Sequence, residues 1–520
     1  MDKDIILKQY FGYKKLNKDQ KKIIQAILSG RDTLGIMPTG SGKSLCFQIP
    51  ALMFNGTTLV ISPLISLMKN QVTFLLKRGI KAAYISSSLT TEQIQIIYEK
   101  AQSQKYKLIY IAPERLNTDE FISLSKTLPI SMIVVDEAHC ISKWGKNFRP
   151  SYLTITSFIN SLTYRPIVSA FTATATPFVQ EEIIKFLGLN DPYCKVTGFD
   201  RPNLYFDVKF PKNKLSKLLK LIRNFKNKNG IIYCSTRTTV DMLYQFLKEK
   251  GFPVTSYHAG LNEYIREKNQ NDFQDNRKNI MIATNAFGLG IDKLNINFII
   301  HYNMPVSLDD YYQQVGRAGR NGMPAYCILL FSEKDIEISK HIIEYNLKNI
   351  LLQKENYNIN IQNYKDLKIM VNYCLTNKCF RSYILNYFGQ KHKKNCCYCG
   401  NCKRAHNILD ITIYTKIIFS CILRLKAQLG YASKTMTIQI LQGCTDKYIL
   451  KLGLNHLSTY ASMDYFPTSY IKTFIDFLKS EGLLYENNNS RLELSNTSID
   501  ILKGEKKIYI PLLLMNNFPL

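Results

Sequence analysis

A short glycine-rich stretch, residues 37–44, constrains this chain more than any other part of its sequence. It reads M-P-T-G-S-G-K-S and lies between a strand-like run at 33–36 and a run from 45 that can begin a helix. Two glycines let the backbone curl so that several N–H groups point at one centre, and the helix N-terminus adds positive partial charge. Lys43 would then reach the β- and γ-phosphates of a nucleotide, and the Ser44 hydroxyl would ligate Mg²⁺.

This stretch departs at one position from the usual phosphate-binding pattern, G-x-x-x-x-G-K-[ST], because Met37 stands where the first glycine is usual. An ordinary turn rich in glycine and serine is the alternative interpretation, but the sequence around the stretch favours a nucleotide site. The residues predicted to contact the nucleotide here are Met37, Pro38, Thr39, Gly40, Ser41, Gly42, Lys43 and Ser44.

The length of 520 residues predicts about three to four domains. Hydrophobic residues make up 46% of the chain, which is enough for several ordinary cores. The sequence contains no apolar run of about 18 residues, so we expect no membrane span and no membrane partner. The charged N-terminus leads into no apolar secretory segment. We therefore expect a cytoplasmic, nucleoid-associated protein.

The charge of the chain suggests a polyanionic partner, because the formal net charge is +28 and the isoelectric point is about 9.4. The alternative is compositional. The chain is rich in Lys, Asn, Ile and Tyr, as proteins from AT-rich genomes are, and such a bias raises the lysine content without any ligand. Charge alone therefore does not decide whether the chain binds nucleic acid, and the motifs must do so.

Two regions of the chain alternate apolar runs with helical segments. The runs lie at 59–61, 108–111, 133–135 and 168–171 in the region 1–198, and at 231–234, 280–283, 298–300 and 326–330 in the region 199–338. Runs that are apolar on both faces suit parallel sheets covered by helices. We therefore predict two α/β domains joined near residues 200–203, the second without a phosphate loop of its own.

The rest of the chain is predicted to be mainly helical. Residues 339–405 form a helical segment that ends in a group of cysteines. Within 406–510, helical periodicity around 471–478 stops at Gly482, and 483–494 reads as a hairpin. Helices followed by such a hairpin suggest a winged helix.

An acidic pair, Asp136 and Glu137, directly follows the buried run at 133–135. At the end of such a strand the first carboxylate can bind Mg²⁺, and the second can orient or deprotonate an attacking water. A purely structural pair is the alternative, but burying two carboxylates without such a use is costly.

Two arginines in the sequence G-R-A-G-R at 316–320 are predicted to complete the nucleotide site. The flanking glycines allow a close approach, so Arg317 and Arg320 could present two guanidinium groups to a triphosphate bound by the first region. An ion-pair network is the alternative. The predicted catalytic residues are Lys43, Asp136, Glu137, Arg317 and Arg320.

Six of the thirteen cysteines fall between residues 374 and 402, and disulfides are not expected in a cytosolic chain. The spacing Cys-x₂-Cys-x₂-Cys lets three thiolates share one tetrahedral ion, with a distant fourth closing the site. Cys374 and Cys397 lie off this spacing and are predicted to be free thiols. An iron–sulfur cluster is the competing interpretation. The predicted ligands of a structural Zn²⁺ are Cys379, Cys396, Cys399 and Cys402.

Together these residues resemble superfamily 2 helicases and, within them, the RecQ family of bacterial type. The resemblance extends from about residue 7 to 500. Its motifs are Phe11-Gly12-Tyr13 with Gln20 for motif 0, 37–44 for Walker A, 62–68 and 136–139 for motifs Ia and II, 169–176 for motif III, and 233–237, 283–293 and 313–320 for motifs IV, V and VI. Arg381 and residues 386–389 resemble the RecQ zinc-binding domain, and 457–461 resemble its winged helix.

The resemblance implies two RecA-like domains, a helical zinc-binding domain and a winged-helix domain of the RQC type. It implies that adenine stacks on Tyr13, that Gln20 supplies an amide contact, and that Gly290 and Asp292 belong to the nucleotide site. The implied cofactors are ATP, Mg²⁺ and Zn²⁺.

The segment 138–150 resembles the aromatic-rich loop that couples DNA binding to ATP hydrolysis in this family. Trp144, Phe148 and Arg149 are the predicted DNA-contacting and coupling residues. A lone tryptophan is more often a core residue, but its neighbours favour the loop. The departures from the family pattern are Asn17 for Arg, Lys146-Asn147 for His-Asp, and Gln314 for Glu.

The function that the resemblance implies is an ATP-dependent 3′-to-5′ DNA helicase in recombination and repair. We expect a monomer that binds junctions of single-stranded and duplex DNA, with single-strand-binding protein as a candidate partner. Two alternatives stay open: an RNA helicase of the DEAH class, and a DNA-binding protein that uses ATP as a switch without unwinding.

Overall fold

The computed structural model describes residues 2–142, 150–288, 293–350, 357–404, 408–487 and 489–511. Over these ranges the chain forms two parallel sheets in succession, followed by a helical segment and a second helical unit with a small hairpin. Within the same ranges no helix is both long enough and apolar enough to cross a membrane.

The first sheet is built from the strands β1 Thr33–Ile36, β2 Thr57–Ile61, β3 Ala82–Ile85, β4 Leu108–Ile111, β5 Ile130–Val135, β6 Ile167–Thr172 and β7 Tyr193–Val196. Their order is β3-β4-β2-β5-β6-β1-β7, and the pairings are parallel. Every residue of β1, β2 and β4 is buried, as expected for strands covered by helices on both faces. The carboxyl ends of β5, β6 and β1 lie side by side, so the loops that follow them surround one centre.

The helices of this part are α1 Lys3–Phe11, α2 Lys18–Leu28, α3 Lys43–Met53, α4 Ile65–Leu76, α5 Thr91–Gln102, α6 Asp119–Thr127, α7 Thr154–Ser161 and α8 Pro177–Leu187. Short 3₁₀ helices lie at Pro113–Arg115, Ala138–Ile141 and Pro150–Leu153. Helix α3 begins directly at the glycine-rich loop, which confirms the predicted strand, loop and helix order.

The second sheet contains β8 Leu204–Lys209, β9 Gly230–Tyr233, β10 Val254–Tyr257, β11 Ile280–Ala283, β12 Phe298–His301 and β13 Ala325–Leu330. The strand order is β10-β11-β9-β12-β13-β8, again with parallel pairings. Its helices are α9 Lys214–Asn224, α10 Arg237–Glu249, α11 Glu263–Gln274, α12 Leu308–Val315 and α13 Lys334–Ile350. Residues 197–203 connect the two sheets.

The remaining elements form two smaller units. The helices around the group of cysteines, called the zinc-binding helices after the predicted Zn²⁺ ligands, are α14 Tyr357–Leu375, α15 Phe380–Tyr387 and α16 Gly400–Arg404. The last unit comprises β14 Ile408–Asp410, α17 Thr412–Leu429, α18 Lys434–Leu441, α19 Lys447–Lys451, a 3₁₀ turn Leu454–His456, α20 Thr468–Ser480, β15 Leu484–Glu486, β16 Leu492–Leu494, α21 Ser498–Lys503 and β17 Tyr509–Pro511. Strands β15 and β16 pair antiparallel, so the predicted hairpin is present.

The apolar cores show how these parts are joined. One continuous cluster runs from Leu34 of the first sheet through Ile299 of the second to Phe380 and Cys399 of the zinc-binding helices. The last unit has a separate cluster around Phe419. The two sheets and the zinc-binding helices are therefore packed as one body, and this packing positions the cleft between the sheets.

Candidate nucleotide cleft and metal centre

The glycine-rich loop leaves the end of β1 and enters the first turn of α3. Gly40 and Gly42 both have φ of +81°, a left-handed conformation that favours glycine. A Cβ on Gly42 would also lie 2.4 Å from Gln20 Nε2, so a side chain at this position would require the Gln20 amide to move away from the loop. Met37 is 1% exposed, and it serves as a core residue beneath the loop where a glycine is usual.

Gln20 joins this loop to the preceding helix. Asn17 caps α2, because its Oδ1 accepts a hydrogen bond from Gln20 N at 2.8 Å and its own N–H donates to Gln20 Oε1 at 3.0 Å. Gln20 Nε2 is left to donate to Ser41 O at 3.1 Å. Asn17 therefore positions Gln20, a role that comparison of motifs missed and that the spacing N-x-x-Q could have revealed. Tyr13, the predicted adenine-stacking residue, is 56% exposed.

Lys43 and the acidic pair form the charged floor of the cleft. Lys43 Nζ is buried and has no hydrogen-bond partner among the described residues, which suits an anion such as a phosphate. Burial and the adjacent Glu137 raise the pKa of Asp136 to about 7. Burial opposes ionisation of Glu137 too, but the positive charges of Lys43, His139 and Arg317 lower its pKa. A divalent cation beside Asp136 would favour the ionised carboxylate there as well.

Glu137 is connected to the loop after β6. His139 Nδ1 lies 3.3 Å from Glu137 Oε2 and 2.7 Å from Thr172 Oγ1, which in turn donates to Thr174 O at 3.1 Å. Glu137 has a left-handed backbone, with φ of 48°, a conformation that costs energy outside glycine and is found at functional sites. The sequence predicted Glu137 and motif III separately, whereas His139 as their link emerges from the structure.

The arginine-bearing turn of the second sheet lies against the loop of the first. A Cβ on Gly316 would be 2.8 Å from Thr39 Oγ1, and a Cβ on Gly40 would be 3.2 Å from Arg320 Cγ. Arg317 is 4% exposed and donates to a backbone carbonyl of the loop after β11. The structure therefore brings the predicted phosphate loop, acidic pair and arginines together in one cleft, with Arg320 above the loop and Arg317 held by its own domain.

Gln314, one of the departures, lies behind this turn. Its Oε1 is 2.7 Å from Nε2 of the buried His301, and burial lowers the pKa of His301 to about 4. The imidazole is therefore neutral and donates to a neutral amide. A glutamate at 314 would instead attract a proton to His301, so Gln314 and a neutral His301 form a matched pair.

The four predicted zinc ligands, Cys379, Cys396, Cys399 and Cys402, come together with all their sulfurs within 4.8 Å of one another. The Sγ atoms of Cys379 and Cys399 are 3.8 Å apart, and those of Cys396 and Cys402 are 3.9 Å apart. The edge of a tetrahedron with Zn–S bonds of about 2.3 Å is about 3.8 Å, so these distances fit a four-cysteine zinc site. Cys397 is exposed and lies outside this cluster.

Family models match four consecutive parts of the chain. The DEAD/DEAH box helicase model covers residues 17–182 and the Helicase conserved C-terminal domain covers 213–322. The RecQ zinc-binding model covers 333–403 and the RQC domain covers 406–514. The pattern of two helicase domains, a zinc-binding domain and an RQC domain agrees with the predicted fold class and with the cysteine cluster.

The ATP-dependent DNA helicase RecQ of Bacillus subtilis (strain 168) is 41% identical over 97% of this chain and 84% of the relative. The chain belongs to the RecQ family. The enzyme of the same name from Pasteurella multocida is 36% identical to this RecQ-family chain, over 97% of this chain and 78% of the relative. A solved structure of S. cerevisiae Dbp5 bound to RNA and ADP BeF3 matches 71% of this chain and 97% of that chain, with a TM-score of 0.53 at 19% identity, and shows similarity of fold.

Several predicted site residues of this RecQ-family chain lie outside the described residues. They are Trp144, Lys146, Asn147, Phe148, Arg149, Gly290 and Asp292. Their roles stay predictions, as do the domain boundaries at 198, 338 and 405 and the chemical roles assigned to the residues of the cleft.

Proposed function

We propose that this RecQ-family chain is an ATP-dependent DNA helicase that moves 3′-to-5′ along one strand and unwinds duplex and branched DNA in recombination and repair. The contact of Arg320 with the phosphate loop at Gly40 carries this proposal, because it joins the two sheets across the cleft. A nucleotide bound there would touch both sheets, so its hydrolysis could change their separation. The named relatives and the RQC domain support DNA as the polymer.

In the proposed reaction, Lys43 contacts the β- and γ-phosphates and Glu137 orients the attacking water. Arg320, from the other side of the cleft, stabilises the negative charge that develops on the transferred phosphoryl group. Ser44 and Asp136 would hold Mg²⁺, which supplies further charge neutralisation. The link from Glu137 to motif III would transmit the state of the γ-phosphate to the loop after β6.

Unwinding of a forked substrate tests the function. We expect the chain to separate a DNA fork with a 3′ single-stranded arm when ATP is present, and to fail with a non-hydrolysable analogue or in Lys43→Ala. Unwinding of an RNA fork but not a DNA fork would favour the RNA helicase. ATP-dependent changes in DNA affinity without strand separation would favour the ATP-switched DNA-binding protein.

We further propose that DNA stimulates hydrolysis through the aromatic loop. Bases that stack on Trp144 or Phe148, worth about 1–3 kcal/mol each, would reposition the segment that follows Glu137. Trp144→Ala should therefore reduce the stimulation of ATPase at saturating DNA while leaving ATP binding intact. Lys146→His tests whether Lys146 contacts a DNA phosphate, a contact that weakens as salt rises. This variant should bind DNA more weakly at moderate salt but keep its ATPase stimulation once DNA is saturating. Full stimulation in Trp144→Ala would rule out this loop as the coupler.

The proposal extends to the setting of the reaction. We propose that the chain works as a monomer at junctions of single-stranded and duplex DNA, in the cytoplasm at the nucleoid, with single-strand-binding protein as a partner. Sedimentation of the chain alone and with a forked DNA at micromolar concentration would measure its oligomeric state in both conditions.

A further inference from the structure

The connection between the two sheets is held from the zinc-binding side. Phe199 is buried and its ring stacks on Phe388, with centroids 4.6 Å apart. Its N–H donates to Gln390 Oε1 at 2.6 Å, and its carbonyl accepts from the Tyr312 hydroxyl at 2.5 Å. The connection is therefore a packed segment with fixed partners on two domains.

Arg381 makes several charge-assisted contacts to this segment. It is 4% exposed and lies in α15, which is capped by the predicted zinc ligand Cys379. Its guanidinium donates to Asp200 Oδ1 and to Arg201 O, both at 2.6 Å. It also donates to Leu204 O at 2.5 Å. Charge-assisted hydrogen bonds to several acceptors from one planar group fix position and orientation together.

Arg201 then reaches from the connection into motif VI. Its guanidinium donates to the carbonyls of Gly316, Ala318 and Gly319 at 3.2, 2.9 and 2.9 Å. Asn203 Nδ2 donates to the same Gly319 carbonyl at 2.9 Å. One side chain thus donates to three carbonyls of a single tight turn. Removing it would take this donor from the buried carbonyls of Gly316 and Ala318, whereas Gly319 O would keep its bond from Asn203.

This turn carries the two arginines of the nucleotide cleft, Arg317 and Arg320. We propose that Arg201 is a positioning residue for ATP hydrolysis, and that Arg381 anchors it to the zinc-binding domain. Arg201 touches neither phosphate nor water in this role, and acts by holding the turn so that Arg320 lies over Gly40. This inference rests on the proposed ATPase. A displacement of about 1 Å in a catalytic group can cost about 10²-fold in rate.

Steady-state ATP hydrolysis at saturating DNA, together with binding of a fluorescent ATP analogue, tests the proposal. We expect Arg201→Ala to lower kcat by about 10²-fold and to change KM and analogue affinity by less than about threefold, since the phosphate loop is untouched. Arg201→Lys can reach one carbonyl at a time and should restore part of the rate. Arg381→Ala should also lower kcat, as Arg201→Ala does.

A double-mutant cycle with Arg320→Ala separates positioning from general destabilisation. If Arg201 acts through Arg320, adding Arg201→Ala to Arg320→Ala should lower kcat by less than about threefold further. Arg165→Ala is the matched control, because Arg165 makes a similar clamp within the first sheet, to Asp32 Oδ2 at 2.6 Å and Gly188 O at 2.8 Å. Arg165→Ala should lower the melting temperature but leave kcat within about twofold.

The outcomes distinguish this inference from the proposed function. No DNA-stimulated hydrolysis by the wild-type chain would overturn the proposed function itself. With an active wild type, an unchanged kcat in folded Arg201→Ala or Arg201→Lys would overturn the inference. Fully additive losses in the double mutant, or an equal loss of kcat in Arg165→Ala, would overturn it as well.

Discussion

The cysteine cluster and the nucleotide cleft differ in how they are assembled. The four sulfurs of the cluster come from one segment, 379–402, and lie within 4.8 Å of one another. The cleft combines Lys43, at the start of α3 beside the first sheet, with Arg320, in the turn after α12 beside the second sheet. Lys43 Nζ is buried without a hydrogen-bond partner among the described residues. A site that one segment completes is suited to holding a fold, whereas one completed by two domains can open and close.

The two regions also handle charge differently. Four thiolates around one Zn²⁺ would fill all four positions of its tetrahedral coordination shell, so the closed site has no coordination position left for a reaction. In the cleft, burial raises the pKa of Asp136 to about 7 while nearby cations lower the pKa of Glu137. Carboxylates whose pKa values are pushed apart can take different roles.

Loss of the zinc cluster should have the largest effect and should act on the fold. We expect Cys399→Ser to reduce bound zinc from about one per chain to nearly none, because it removes one of the four predicted ligands. The loss of zinc should then destabilise the fold, because structural zinc contributes about 10 kcal/mol or more in small domains. Elemental analysis measures the bound zinc, and solubility reports on the fold. Binding of an ATP analogue by the phosphate loop should survive in any folded fraction. Cys397→Ser, which changes the exposed neighbouring thiol, is the control and should keep its zinc. Iron in place of zinc would contradict the prediction.

Removal of Arg320 should act on the reaction and spare the metal. Arg320→Ala is expected to lower ATP turnover by about 10³-fold, or about 4 kcal/mol, because it removes charge stabilisation from the transition state. Zinc content should stay at the wild-type value. Arg223→Ala, an exposed arginine on α9, should leave turnover unchanged. Near-normal ATPase in Arg320→Ala would mean that the second sheet does not complete the cleft.

The buried His301 should make stability depend on pH. Because burial lowers its pKa from 6.5 to about 4, the unfolded chain binds a proton in this window that the folded chain does not. Stability should therefore fall as pH drops from about 6.5 to about 4, by at most about 1.4 kcal/mol per pH unit from this group. Thermal melting across this range should show a shallower decline in Gln314→Glu, which favours the imidazolium. Gln313→Glu, at the neighbouring position, should keep the wild-type slope.

The smallest effect is expected at the helix cap beside the cleft. Asn17→Ala should cost about 1 kcal/mol of stability and raise the KM for ATP about fivefold, since it frees Gln20 from its place against the loop. Asn262→Ala removes a similar cap from α11, where Asn262 Oδ1 accepts from Ile265 N at 2.8 Å. The control variant should lose similar stability with an unchanged KM. Equal KM values in both variants would show that the cap does not position Gln20 for the nucleotide.

Much of the site could be predicted from short stretches of sequence. The loop around Lys43, the pair Asp136–Glu137 and the cysteines at 396–402 each carry their chemistry in residue types at fixed local spacing. The geometry of metal and phosphate binding imposes that spacing, so it can be recognised in a single sequence before the fold is known. The alternation of apolar runs likewise predicted two parallel sheets, because strands covered on both faces must be apolar on both faces.

These local spacing patterns did not predict the long-range contacts. The contacts of Arg201 with motif VI carbonyls, of His139 with Thr172, and of His301 with Gln314 join different loops or helices. Every residue has a backbone carbonyl, so the sequence does not indicate which carbonyls Arg201 will bind. The sequence around His301 likewise does not indicate which side chain its ring will contact. Local spacing by itself determined which chemistry this protein carries. The tertiary structure decided which groups meet and which arginine holds them there, because those contacts depend on how the two sheets and the zinc-binding helices pack together.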